Sequence, residues 1–237
     1  MTRHKHGWQF LLAAVALFSI LAAPCLAQDT PPEITFRHMA VMPFLVGARP
    51  PELDETMDQT LICPIDQLCT EDPSLPPRTG KMMTTLVDQQ VRDRYGQRVV
   101  AEAKVQAAVA RIRLKDVHIT PRALARKLNK ALNVELVMVG TVWRYRERGA
   151  ILGVPDSPAS LAFALYLVDA RSGMQLWRGM FDGTQQTVLS NLLHAKKQLK
   201  MGLTWLSADE LAHHGVQEVF EQFPANLQPT NGHRQNQ

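Results

Sequence analysis

Apolar residues recur along this chain in two rhythms, a period of two and a period near 3.6, and the two mark out strands and helices. Ile34 to Leu45 (ITFRHMAVMPFL) is apolar and β-rich and predicts a first strand. Pro43 belongs near its end or on a sheet edge, because proline cannot donate to a ladder. Glu135 to Tyr145 (ELVMVGTVWRY) is almost wholly apolar at first, as in a central strand covered on both faces. Leu161, Phe163, Leu165 and Leu167 alternate with Ala162, Ala164 and Tyr166. The next strand therefore has a bulky face and a face of small residues on which a helix can pack closely, and it too should be central. Asp169 to Gly173 is turn chemistry, and Gln175 to Phe181 returns as the antiparallel partner of a hairpin.

The helical rhythm is as clear. Met83, Leu86, Val87, Val91 and Tyr95 form one stripe, with Gly96 as a C′ residue able to adopt the left-handed conformation. After a short strand at Arg98 to Val100, a second helix runs from Glu102 to Leu114 with Val105, Ala108, Val109 and Ile112 on one face. Thr120 caps a third, with Pro121 at the first helical position and Leu124, Leu128 and Leu132 inward. Leu189 to Leu199 is a weak helical signal. A better one starts at Ser207, where Ser207 and Glu210 make a capping box and Leu206 and Leu211 a hydrophobic staple. Pro224 ends it, and the polar stretch 225–237 is expected to be a disordered tail. The expected fold class is α/β, a mixed sheet of about five strands flanked by helices.

Two segments break the pattern. Residues 46–79 are dense in proline and acids and carry Cys63 and Cys69. A connection of this length is longer than compact domains commonly use, so it reads as an insertion in a single domain spanning 28–224. The other segment is residues 1–27. Arg3 and Lys5 precede an apolar run from Phe10 to Ala23, interrupted only by Ser19 and stopped by Pro24, which is the plan of a secretory signal. The run is roughly 14 residues, against roughly 20 for a bilayer span. Cleavage is expected between Ala27 and Gln28. A rival reading makes Cys25 the acylated residue of a lipoprotein, but Pro24 holds the place where a small residue belongs. A soluble periplasmic product follows, with no transmembrane helix in the mature chain.

Composition narrows the field. The formal net charge is +4, and loss of Arg3 and Lys5 with the signal lowers it by two. Nearly balanced charge argues against a dedicated nucleic-acid binder. In an oxidising compartment Cys63 and Cys69 point to a disulfide, whose small ring would remove roughly 2 to 2.5 kcal/mol of unfolded-chain entropy. The insertion contains no histidine to complete a zinc site, and the spacing is not that of thiol-exchange enzymes. No cofactor is implied.

Candidate chemistry is sparse. His213 and His214 are adjacent and point about 100° apart on a helix, so they are expected to face solvent. Asp169 and Asp182 flank the hairpin as caps rather than as an acid and base. Arg122, Arg126 and Lys130 share one helix face, Arg111, Arg113 and Lys115 end the preceding helix, and Arg144, Arg146 and Arg148 alternate onto one side of a strand. These cations are either a solvated surface or a contact for an acidic partner, for the acidic insertion of this chain, or for anionic envelope lipid or glycan. Trp143 and Trp177 read as packing rather than a sugar platform.

Three stretches carry a resemblance: Ala40 to Phe44 (AVMPF), Leu132 to Val142 (LNVELVMVGTV) and Leu165 to Trp177 (LYLVDARSGMQLW). Together they resemble the periplasmic domain shared by the curli secretion-channel lipoprotein, the lipoprotein activators of penicillin-binding proteins and the amino-terminal domain of the Tol-Pal periplasmic protein. The resemblance implies a mixed sheet flanked by helices, no catalysis, and work done by binding other envelope proteins or by self-association. The cysteine-bearing insertion departs from that pattern, and no channel-forming hairpin is present. The functional expectation is a non-catalytic interaction module assisting assembly or regulation of an envelope complex. The alternative is an enzyme or binding protein acting on envelope glycan or lipid, which calls for a cleft joining Trp143 to Arg148 with paired carboxylates, or for a sizeable apolar cavity.

Overall fold

A computed structural model describes residues 33–47, 65–66, 75–151, 157–184 and 206–230, all in one compact unit that begins at Glu33. The strands are β1 (Ile34–Phe36), β2 (Met39–Val41), β3 (Leu45–Val46), β4 (Leu136–Arg146), β5 (Ser160–Asp169), β6 (Gln175–Thr184) and β7 (Leu227–Pro229). The helices are α1 (Thr79–Tyr95), α2 (Glu102–Lys115), α3 (Pro121–Leu132) and α4 (Ala208–Glu221). A five-stranded mixed sheet runs β2, β4, β5, β6, with β3 also on β4. β2 and β3 lie parallel to β4, while β4, β5 and β6 are antiparallel to one another. The chain is thus α/β, with β4 and β5 central as their apolar runs predict.

Helices cover both faces. Leu161, Phe163, Leu165 and Leu167 of β5 pack with Met83, Val87 and Val91 of α1 and with Leu211, Val216, Val219 and Phe220 of α4. On the other face Ala164, Tyr166 and Val168 pack with Val105 and Val109 of α2 and Leu124, Ala125 and Leu128 of α3. The bulky and the small faces of β5 therefore meet different helix pairs. Each fully buried Leu or Phe contributes about 1.5 to 3 kcal/mol over exposure.

Three expectations are corrected. The single first strand is three short ones, because the N–H groups of Arg37 and His38 turn to the Glu135 carboxylate and Pro43 has no N–H to give. The Phe44 N–H bonds instead to Thr84 Oγ1 at 2.9 Å. The strand at Arg98 to Val100 is a 3-10 turn, Gly96–Arg98, with one bridge from Val99 to Met39. Nor does the chain lose structure at Pro224. β7 pairs in parallel with β1, Ile34 opposite Leu227, and the Thr230 N–H bonds to the Phe36 carbonyl at 2.8 Å. The weak helical signal at 189–199 and the stretch 231–237 lie outside the described residues.

The helix ends follow the sequence closely. Thr120 accepts from the Ala123 N–H with Pro121 next to it, and Asn133 closes α3 in the left-handed region. Ser207 and Glu210 form the full capping box of α4, and Leu206 packs on the core as the staple requires.

Candidate functional site

The buried polar groups are committed to the fold, and this decides which side chains remain available. Glu135 is 8% exposed. Its carboxylate accepts from the N–H groups of Arg37 and His38, from the Arg37 Nε at 3.0 Å and from Arg171 Nη2 at 3.4 Å. Burial works against ionisation, yet the His38 N–H and the Arg37 guanidinium and N–H outweigh it and hold the pKa below the usual carboxylate value. Glu135 thereby ties the β1–β2 corner to β4 and to the hairpin turn. Asp88 binds both Arg92 Nε and Nη2, and Arg92 also reaches the carbonyls of Val99 and Val100. These acids hold the fold together.

The basic face of α3 is divided in use. Arg122 Nη2 donates to Asp66 at 2.9 Å and Arg122 Nη1 to the Gly173 carbonyl at 2.9 Å. Arg126 packs on the same turn, so that a Cβ on Gly173, whose φ is +80°, would stand 2.9 Å from Arg126 Cδ. Asp66 belongs to the acidic insertion, and its neighbour Ile65 is buried against α2 and α3 while its carbonyl accepts the Arg122 N–H. Of the contacts expected for these cations, the one with the chain's own insertion is present at Arg122. Lys130 stands apart, at the other end of α3, on the wall of a cavity of about 680 Å³.

The arginines of β4 fare differently. A bulge between Val142 and Arg144 sets Arg144 opposite Ala162 and Arg146 opposite Ser160, so both point to the α2/α3 side of the sheet. Arg148 lies in the turn beyond the strand and does not share the alternation. Arg144 pairs with Asp182. Trp143 is half-buried on that same side.

Tyr145, opposite Leu161, faces the other side. Its hydroxyl bonds to Asp209 and to Glu147, Arg78 pairs with both acids, and Glu147 Oε2 accepts the Ala208 N–H at 3.1 Å. Burial, the Asp209 hydrogen bond and the two carboxylates push the Tyr145 pKa up. Two carboxylates do approach each other here. They serve the amino terminus of α4, where negative charge is favoured, and the sheet separates them from Trp143, Arg144 and Arg146.

Among the described residues, the most exposed large apolar side chains lie where α2 ends. Leu114 is 85% exposed and Val117 76%, and Arg111, Arg113, Lys115 and His118 around them are exposed as well. Asp116 is held by Lys127 at 2.9 Å. The sequence carried a signal for this tip: Leu114 falls off the Val105–Ala108–Val109–Ile112 stripe, so a helix that buries the stripe must expose it.

No protein-family model matches the chain, and no curated protein matches it. Among solved structures it is similar to the PelC dodecamer from Paraburkholderia phytofirmans, at 13% identity over 81% of this chain and 88% of that one, with a TM-score of 0.42. It is similar also to lipoprotein GNA1162 from Neisseria meningitidis, at 16% identity over 71% and 99% with a TM-score of 0.39. A third is the LpoB C-terminal domain from Salmonella enterica, at 11% identity over 65% and 85% with a TM-score of 0.35. Likeness at this level leaves function to be argued from the chain's own residues.

Cys25, Ala27, Gln28, Cys63 and Cys69 lie outside the described residues. No described helix is long and apolar enough to cross a membrane. Asp169 accepts the N–H groups of Arg171 and Ser172 as a turn cap. His213 faces solvent, but His214 does not: it is half-buried, with its ring 6.4 Å from that of Phe181. The reason is room, since Gly215 and Gly183 both leave space for the Phe181 ring and draw the helix close.

Proposed function

We propose that this protein is a non-catalytic module of the bacterial cell envelope that works by docking another envelope protein through the tip between α2 and α3. The observation that carries the reading is the pair Leu114 and Val117, exposed at 85% and 76% in the midst of Arg111, Arg113 and Lys115. Large apolar side chains exposed at a helix end and in the turn after it gain nothing from water. Covering them yields about 1.5 to 3 kcal/mol each, and the flanking cations steer an acidic partner and fix its register. The partner chemistry is an apolar pocket with a carboxylate rim. A symmetric dimer through this tip is disfavoured, because it would oppose the cations of both copies, and like charges face to face cost several kcal/mol.

The envelope assignment rests on the secretory signal at 1–27 and on the resemblance carried by Ala40 to Phe44, Leu132 to Val142 and Leu165 to Trp177. An enzyme acting on glycan is the weaker reading. Its aromatic and cationic half and its carboxylate half stand on opposite sides of the sheet, and Arg78, Tyr145 and the Ala208 N–H already occupy Glu147 and Asp209.

The test is a double variant, Leu114→Ser with Val117→Ser, in the exported chain. Substitutions at such exposed positions shift stability by about 0.5 kcal/mol or less. Envelope proteins that co-purify with the wild type should be lost from the variant while its thermal midpoint stays in place. An unchanged set of co-purifying proteins removes the tip as the docking surface.

A further inference from the structure

The cavity at the carboxyl end of α3 is a second feature, independent of the tip. Its wall contains His38, Arg92, Gln97, Lys104, Lys130 and Asn133, with the remainder formed by small and apolar residues, and its volume is about 680 Å³. Ligand sites of small molecules fall at roughly 300 to 1,000 Å³. Among the described residues no carboxylate lines it.

Three carboxylates of the flanking elements are engaged, and a fourth, Asp93 of α1, is exposed. Asp88 is taken by Arg92, Glu135 by Arg37, His38 and Arg171, and Glu102 by Gln106 and Thr85. Arg92 is offset by its own Asp88. Lys104 and Lys130, from two different helices, both line this space, and neither has such a partner among the described residues. Alongside them Ala101, the residue that precedes α2, is also on the wall, and no side chain caps the helix there.

We propose that this cavity binds a phosphate-bearing ligand, with Lys104 and Lys130 as its charged grip. Phosphate fits this wall better than a carboxylate does. It carries close to two negative charges at neutral pH and three acceptor oxygens, enough for two ammonium groups and an amide at once. Gln97 and Asn133 add neutral hydrogen bonds, and Val100 and Leu132 offer apolar contact to the body that bears the phosphate. Lys130 also neutralises the negative end of α3, which would otherwise repel the anion.

The experiment is a titration of the mature full chain, followed by amide chemical shifts. The probes are inorganic phosphate and glycerol 1-phosphate, with choline chloride as a cation of similar ionic strength. The expected result is saturable shifts confined to Val99 to Lys104 and Lys130 to Asn133 with at least one phosphate probe and none with choline. Tighter binding of the ester would identify a phosphorylated ligand or lipid headgroup, and equal binding would identify phosphate itself. Lys104→Gln with Lys130→Gln should weaken the apparent affinity about tenfold or more, while Lys127→Gln, whose residue pairs with Asp116, should leave it unchanged. Shifts that fail to saturate, that spread over Arg111 to Lys115, or that persist in the double variant overturn the proposal. Because Leu114 and Val117 are intact in these variants, their failure would leave the docking reading untouched.

Discussion

The ring of Phe44 lies in the hollow left by Gly140, so closely that a Cβ on the glycine would stand 2.3 Å from two ring carbons. Phe44 follows Pro43 in the gap between β2 and β3, and Gly140 sits mid-way along β4. The contact explains why a residue with no side chain occurs at the centre of an otherwise bulky strand.

Gly140→Ala should therefore destabilise the fold although alanine suits a strand no worse than glycine. Overpacking of this kind costs about 1 to 3 kcal/mol. Urea unfolding should show the loss, and Phe44→Leu in the same chain should recover part of it by vacating the space.

Glu135 predicts an acid limb. Its folded-state pKa lies below its ordinary value of 4.5, so the stability it contributes is fully present above that value and is lost as pH falls through the folded one. Glu135→Gln should cost about 2 kcal/mol at neutral pH, the range for hydrogen bonds to a charged group. The gap between wild type and variant should close on acidification, in denaturant melts taken at successive pH values.

The carboxyl end of α4 is held from two sides. Trp177 Nε1 donates to the Gln222 carbonyl at 3.0 Å, and Arg94 Nη2 to that of Phe220 at 2.8 Å, its guanidinium 5.1 Å from the Phe220 ring centre. Trp177→Phe keeps much of the packing on Phe223 and removes the N–H, so it should cost about 1 kcal/mol, read as a lowered thermal midpoint.

Cys63 and Cys69 are proposed to be bridged in the exported protein. The intact chain should then be lighter than its reduced form by the mass of two hydrogens and should resist alkylation until reduced. Free thiols in freshly exported protein would contradict this.

How far the sequence could be read depended on how local each cause was. The capping box at Ser207, the Thr120–Pro121 start of α3 and the two-faced β5 were legible because their causes lie within a few residues. The break of Ile34 to Leu45 into three strands was not, since it depends on Glu135, about a hundred positions away, taking the N–H groups of Arg37 and His38. β7 was missed for the same reason, as a three-residue strand exists only through its partner. Among the candidate cations, alternation grouped Arg144, Arg146 and Arg148, but the strand ends at Arg146 and leaves Arg148 in the turn beyond it. Alternation could not show that Asp182 and Asp66 would claim Arg144 and Arg122, or that Lys130 and Lys104 would line one cavity.

Docking through the α2–α3 tip is read out by site-specific photocross-linking in the living envelope, with the photoreactive residue placed at Val117 and, for comparison, at Met174, which is 57% exposed on the hairpin turn. A tip that docks a partner gives a discrete adduct with another envelope protein from position 117 and none of that mass from position 174. Adducts to this chain alone, the same adducts from both positions, or none from position 117 would contradict that docking.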